Sequence, residues 1–158
     1  MRLSQIDELT APDHYYLDAS DDRSCFYLRE YTPRGGWKAG ETNQLIFNLR
    51  KPMSRKGQPG WAYKDQAIRQ CAHELQKSLF PELSDWVRGG VLIAIPPSKS
   101  PGDPDYDDRL EQLLGRIDTR DLCTTSSALS TRVSVEPSHT RVAERLTPPE
   151  VARNLAGL

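Results

Sequence analysis

One short apolar run constrains the fold of this chain more than any other stretch of its sequence. Val91–Ile95 follows the Gly89-Gly90 break and stops at Pro96-Pro97. A short apolar run between turn residues is typical of a buried strand, most often in a parallel sheet. Neither proline can donate to a sheet ladder, so the pair ends the strand. The run therefore predicts an α/β fold in which Val91–Ile95 is a central strand.

Polar side chains that suit an anion come directly after this strand. Ser98, Lys99 and Ser100 place two hydroxyls and an ammonium at its carboxyl end. Ligands of open α/β sheets bind at that edge, and hydroxyl, backbone N–H and ammonium groups suit phosphate oxygens. The residues by themselves leave two alternatives, an anion site or an ordinary polar surface loop.

A longer pattern extends on both sides of this loop. Downstream lie a Gly/Asp/Pro loop and the run Tyr106-Asp107-Asp108-Arg109, while upstream lie Tyr31, Gly35-Gly36-Trp37 and residues 42–51. Together these residues resemble the phosphoribosyltransferase superfamily, nearest the ComF-like branch of competence proteins.

The resemblance implies a fold, a ligand and a set of binding residues. Residues 25–158 would form a type I phosphoribosyltransferase-like α/β domain, with a mostly parallel sheet flanked by helices, behind a polar lead-in of residues 1–24. The loop after the central strand would bind phosphoribosyl pyrophosphate or pyrophosphate. The residues implied are Pro97, Ser98, Lys99, Ser100 and Arg109. A further phosphate contact at Lys51 or Lys56 stays open, and the implied cofactor is Mg²⁺.

The second signature of that superfamily is missing. It consists of an apolar strand, an acidic pair and a Thr-Thr-Gly loop, which hold the ribose and the 5′-phosphate. Residues 118–126 imitate its letters, but they lack the apolar strand, and Ser126 replaces the glycine that close backbone approach requires. We therefore expect a domain that is incomplete at its C-terminus and inactive alone. It would be the front portion of a truncated or split transferase, with a second polypeptide completing the fold.

A non-catalytic class is the alternative, because fold does not determine function. In that interpretation the chain is a regulatory or binding module, in a bacterial defence or competence locus, that kept the scaffold and lost the sugar-phosphate site.

Charge and cysteine usage exclude several other classes. The 21 basic and 22 acidic residues disfavour a nucleic-acid footprint or a polybasic membrane surface, and no aromatic-basic interleaving is evident. The basic loop of residues 52–60 is interpreted as a solvated connector. No apolar run is long enough to cross a bilayer. The three scattered cysteines predict reduced thiols in a cytosolic protein, without a zinc site.

An acidic cluster at the start of the helix predicted over Asp105–Leu114 imitates a calcium loop. Asp103, Asp105 and Asp107 match its start, but Asp108 takes the glycine position and Leu114 the glutamate position. We therefore predict no metal site formed by the protein alone.

Hydrophobic periodicity and turn residues predict the remaining elements. The predicted helices are Ser4–Leu9, Glu41–Leu49, Tyr63–Phe80 closed by Pro81, Asp105–Leu114, and one that starts at Thr147; the predicted additional strands are Cys25–Tyr31 and Thr131–Val135. The helix over Tyr63–Phe80 is expected to cover the sheet through Ile68, Cys71 and Leu75, with Cys71 a core residue.

Overall fold

Three helices form the main body of the structure. The computed structural model describes residues 3–6, 25–120, 123–126, 129–131 and 155–157. Its helices are α1 (Glu41–Leu49), α2 (Ala62–Val87) and α3 (Arg109–Leu114), with 3₁₀ turns at Trp37–Ala39 and Met53–Arg55. Its strands are β1 (Ser4–Gln5), β2 (Phe26–Tyr27), β3 (Val91–Ile93), β4 (Thr124–Ser126), β5 (Leu129–Thr131) and β6 (Leu155–Gly157). Within these residues no helix is both long and apolar enough to cross a membrane.

The strands form three separate pairs, so the predicted mostly parallel sheet flanked by helices is wrong. β1 pairs with β2 and β5 with β6, both antiparallel. Only β3 and β4 pair in parallel among the described residues, with Val91 opposite Thr124. The described residues therefore do not form a type I phosphoribosyltransferase-like sheet.

The apolar run Val91–Ile95 is buried on one face alone, which explains the error. Val91, Ile93 and Ile95 are 55%, 48% and 77% exposed, whereas Ala94 is buried and Leu92 packs against the core. A continuous apolar run is compatible with burial on both faces, but its composition does not require it. β3 is consequently a strand at the margin of the core, and it ends two residues earlier than predicted.

The core lies between helices instead. α1 contacts α2, and α2 contacts α3. The buried cluster is formed by Leu45, Leu49, Ala67, Ile68, Ala72, Leu79, Leu113, Ile117 and Cys123. Cys71 and Leu75 are partly buried against it, as the periodicity of α2 predicts.

A paired arginine and glutamate attach the segment after β2 to this helical body. Arg29 donates to both carboxylate oxygens of Glu74, from Nε at 2.8 Å and from Nη2 at 2.7 Å. The hydrogen bonds from Arg29 are the main cause that lowers the pKa of Glu74. Because the pair is bidentate and largely shielded from water, it holds residues 25–31 on α2.

Helix limits follow the prediction where a clear stop exists. α1 has the predicted limits Glu41–Leu49. α2 continues beyond Pro81 to Val87, so the predicted stop there is wrong; a proline removes one backbone hydrogen bond without always ending a helix. α3 begins at Arg109 rather than Asp105. Asp103 accepts hydrogen bonds from the Asp105 and Tyr106 N–H groups, and these turns replace the helix.

The remaining element predictions fail in part or lie outside the described residues. Ser4–Gln5 is a strand instead of a helix, and the predicted strand over residues 25–31 shrinks to Phe26–Tyr27. Residues 124–126, which belong to no predicted element, form β4. Thr131 ends β5 while residues 132–135 lie outside, as does most of the helix predicted from Thr147, and Leu155 belongs to β6.

Replacing Ile68 with aspartate should unfold the domain. Ile68 is 2% exposed at the α1–α2–α3 contact, so the variant would bury an unpaired carboxylate. The expected loss in the free energy of unfolding is about 4 kcal/mol or more, measured by urea titration. Gln66→Asp places the same charge on an exposed position of the same helix and should stay folded. An Ile68→Asp variant with the wild-type urea midpoint would contradict this packing.

Candidate functional site

A buried ammonium joins α1, α2 and the loop before α3. Lys64, in the first turn of α2, is 3% exposed. Its Nζ donates to the carbonyl oxygens of Leu49 at 3.1 Å and Lys51 at 2.8 Å, and to Asp107 Oδ2 at 2.7 Å. The last carbonyls of a helix lack intrahelical partners, and the ammonium satisfies that of Leu49 at the end of α1 with one of its three donors, while the other two bond to Lys51 and Asp107. Lys64 therefore holds the end of α1 and the loop before α3 against the start of α2.

Arg109, a predicted pyrophosphate ligand, is paired with Asp107. Its Nη1 donates to Asp107 Oδ2 at 2.8 Å, and its backbone N–H donates to Asp107 Oδ1 at 3.2 Å. Asp107 therefore accepts from both Lys64 and Arg109.

A small cleft lies where the predicted pyrophosphate loop meets α3. It encloses about 250 Å³ and is lined by Ile95, Pro96, Pro97, Ser98, Asp107, Asp108, Arg109, Leu110 and Glu111. The structure thus brings Pro97 and Ser98 together with Arg109, while Lys99 and Ser100 are partly buried farther along the loop. Three carboxylates face one guanidinium in this lining, and that balance disfavours an anion.

One of these carboxylates is engaged by a tyrosine. Tyr106 donates from its hydroxyl to Glu111 Oε1 at 2.6 Å, and this bond is the main reason that the pKa of Tyr106 rises to about 12. Within the described residues, no group of three or more His, Cys, Asp or Glu side chains is placed to hold a metal ion. Mg²⁺ often binds through one or two carboxylates together with substrate phosphates, so it stays a cofactor that the resemblance implies.

A second, larger cleft is basic where the strand-end cleft is acidic, and its lining includes Lys51, whose carbonyl oxygen accepts from Lys64. It encloses about 630 Å³ and is lined by Tyr31, Trp37, Ile46, Phe47, Asn48, Arg50, Lys51, Pro52, Arg55 and Tyr63. We call it the aromatic–basic cleft. Three of the described residues that line it are cationic and none is acidic. Its four aromatic side chains are all exposed, so the cleft offers both positive charge and ring faces.

A buried amide fixes the aromatic wall of this cleft. Asn43, 1% exposed, accepts from the Thr32 N–H at 3.0 Å and donates to the carbonyl oxygens of Thr32 at 3.0 Å and Gly36 at 2.9 Å. Gly36 has a φ of 63°, in a region essentially open to glycine alone. The turn delivers Trp37 against Phe47 of α1, with ring centroids 6.4 Å apart.

The basic wall is centred on Lys51. Its Nζ donates to Asn48 Oδ1 at 2.5 Å and to the Gly60 carbonyl at 2.9 Å, and it lies 5.0 Å from the centroid of the Tyr63 ring. Burial lowers the pKa of Lys51, and the charges of Arg55 and Lys64 lower it further. Positive charge is therefore concentrated here, although the whole chain carries a net charge of −1.

The predicted phosphate contact at Lys51 thus lines a different cleft from the predicted pyrophosphate loop. Lys56, the other candidate, is exposed and is not part of either lining. Sequence reasoning missed the aromatic–basic cleft because its members come from three separate segments. The signal that could have found it is the basic loop of residues 52–60, which comes shortly after α1. Its composition predicts a solvated connector instead.

Comparison with known proteins gives no match: neither a family model, nor a curated protein, nor a solved structure matches this chain. The likeness to phosphoribosyltransferases stays a prediction from the sequence.

Replacing Asn43 should release the turn that carries Trp37. Asn43→Ala leaves two carbonyls and one N–H without their partner, and we expect the free energy of unfolding to fall by about 2–4 kcal/mol. Gln58→Ala removes an exposed amide and should change it by less than about 0.5 kcal/mol. Wild-type stability of Asn43→Ala in denaturant would refute the role of this amide.

The Asn43→Asp variant adds a pH readout to the same test. A carboxylate can accept from Thr32 but cannot donate to the two carbonyl oxygens, so the folded state raises the pKa of this group. Its stability should therefore be higher at pH 5 than at pH 8, because the protonated form recovers one donor. If wild type shows the same difference in stability between pH 5 and pH 8, the group at position 43 is not its cause.

Replacing Lys64 tests the contact between the three segments. Lys64→Met leaves the Leu49 and Lys51 carbonyls without a donor, and Asp107 keeps Arg109 alone. We expect a loss of about 3–5 kcal/mol in the free energy of unfolding. Arg69→Met makes the same change on the exposed face of α2, where Asp65 keeps Arg116 at 2.5 Å, and should cost less than about 1 kcal/mol. Equal losses in the two variants would contradict the special position of Lys64.

Proposed function

We propose that this chain is a non-catalytic binding module for a phosphate-bearing ligand, and that the ligand binds in the aromatic–basic cleft. The observation that carries this proposal is the lining itself: Arg50, Lys51 and Arg55 with no acidic residue among the described ones. Guanidinium and ammonium groups are the usual protein partners of phosphate oxygens. The volume of about 630 Å³ lies in the range of small-molecule sites.

The electrostatics of Lys51 support an anionic ligand. Burial is the main cause that lowers the pKa of Lys51, and the like charges on Arg55 and Lys64 lower it further. An anion in the cleft would offset that repulsion, and it would also raise the pKa of Lys51 back toward its ordinary value. Binding is therefore favoured by relief of repulsion that is already present in the unliganded protein.

The proposed class of ligand is the one that the sequence resemblance implies, but the proposed binding place is not the loop that the resemblance implies. Phosphoribosyl pyrophosphate and pyrophosphate remain the ligands that the resemblance implies. Transferase activity of the type that the resemblance implies depends on a mostly parallel sheet, which the described residues do not form, so this activity is no part of the proposal. A cytosolic location belongs to this proposal, and the three scattered cysteines, typical of reduced thiols, support it.

The strand-end loop is a second candidate for pyrophosphate. Pro97, Ser98 and Arg109 do line one cleft, and Lys99 lies in the same loop. Against it stand the surrounding carboxylates and the bonds that tie Arg109 to Asp107.

Pyrophosphate titration by calorimetry at low ionic strength separates the two places. We expect wild type to bind and Arg55→Ala to bind about tenfold more weakly or worse, because a charged hydrogen bond is lost. Lys99→Ala should bind like wild type. Lys56→Ala removes an adjacent exposed cation of the same charge and serves as the matched control.

Two results would overturn the proposal. Loss of binding in Lys99→Ala with normal binding in Arg55→Ala would move the site to the strand-end loop. Absence of any pyrophosphate binding by folded wild-type protein would remove the anion site altogether.

A further inference from the structure

A second cavity lies beside the aromatic–basic cleft, between α1 and α2. It encloses about 570 Å³ and is lined by Trp37, Glu41, Gln44, Leu45, Asn48, Tyr63, Gln66, Ala67 and Gln70. We call it the amide groove, because four of these nine residues carry side-chain amides. Glu41 is the single charged residue among them, so the groove is close to neutral where its neighbour is strongly positive.

The two cavities share a wall. Trp37, Asn48 and Tyr63 line both of them, which makes the cavities adjoining compartments of one continuous surface. Gln44 and Asn48 are four residues apart on α1, as Gln66 and Gln70 are on α2, so each helix presents a pair of amides on one face. A single ligand that passes the shared aromatic rings can contact both compartments.

Three of the four amides are hydrogen-bonded within the protein. Gln44 donates to the Trp37 carbonyl at 3.4 Å, Gln70 donates to Glu74 Oε1 at 3.0 Å, and Asn48 accepts from Lys51. Each of these bonds uses one polar atom, and a side-chain amide has two. The second atom of each can meet a ligand. Asn48 is bonded to the ammonium of the basic wall, so it connects the two compartments directly.

We propose that the ligand of the aromatic–basic cleft is a nucleoside phosphate, whose phosphates bind Lys51 and Arg55 and whose sugar and base occupy the amide groove. This inference rests on the proposed function, since it needs the phosphates in the basic compartment. Asparagine and glutamine amides pair with the donor and acceptor edge of a base. The exposed rings of Trp37 and Tyr63 supply flat faces on which a base stacks.

A free nucleotide fits better than a nucleic-acid strand. The basic compartment is confined to three cations, and the chain as a whole has a net charge of −1, whereas a strand requires an extended positive track. Glu41 on the far wall would repel a following phosphate but can accept hydrogen bonds from sugar hydroxyls or a base amino group.

Calorimetric titration of the full chain with pyrophosphate, ribose 5-phosphate and the four common nucleoside diphosphates tests this assignment. At least one nucleoside diphosphate should bind about tenfold more tightly than pyrophosphate, because the base adds stacking and amide contacts. Gln66→Ala should weaken that nucleotide about fivefold and leave pyrophosphate unchanged. Gln112→Ala removes an amide of α3 that lies outside both compartments, and it should change neither the nucleotide affinity nor the pyrophosphate affinity.

The possible failures are distinguishable from those of the proposed function. If pyrophosphate binds as expected of the basic cleft but no nucleotide binds more tightly, the nucleoside assignment is wrong and the anion site stands. Ribose 5-phosphate that binds as tightly as the best nucleotide would equally remove the base from the groove. A single-stranded oligonucleotide that binds far more tightly than any nucleotide would replace the small ligand with a strand. Loss of all anion binding would overturn both proposals together.

Discussion

The buried ammonium of Lys64 is the contact on which the rest of this structure depends. An isolated charge away from water is costly, and it persists here because two carbonyl oxygens and the Asp107 carboxylate surround it. Those partners are Leu49 at the end of α1, Lys51 just after it, and Asp107 in the loop before α3. One side chain therefore bonds to a lining residue of each cleft, Asp107 of the acidic one and Lys51 of the basic one.

Two further polar contacts compensate for a thin apolar core. Hydrophobic residues make up only 37% of the chain, and the buried cluster of the described residues contains no aromatic side chain. Asn43 attaches the turn before Trp37 to α1, and the Arg29–Glu74 pair attaches the segment after β2 to α2. Because such bonds are directional, they orient the aromatic wall of the cleft as well as holding it, which apolar packing alone would do less specifically.

The helices could be predicted from the sequence more fully than the sheet or the site. Apolar spacing and Pro52 define α1 completely, and the stripe through Ile68 and Cys71 places α2 in the core. The run at Val91–Ile95 could not reveal that one of its faces is exposed, since composition is the same in either case. The aromatic–basic cleft was beyond local patterns because Tyr31, Trp37 and Tyr63 meet only after the helices pack. Lys51 was found as a phosphate candidate, but its neighbours were not.

The central claim is that the chain presents an anion site beside α1 rather than at the end of β3. The most direct measurement is a two-dimensional ¹H–¹⁵N NMR titration of the folded wild-type protein with pyrophosphate, following assigned backbone amides and the Trp37 indole. This account predicts that the shifts concentrate in residues 31–63, with the indole among them, while residues 98–111 change little. Shifts concentrated in residues 98–111, with residues 31–63 unchanged, would contradict it.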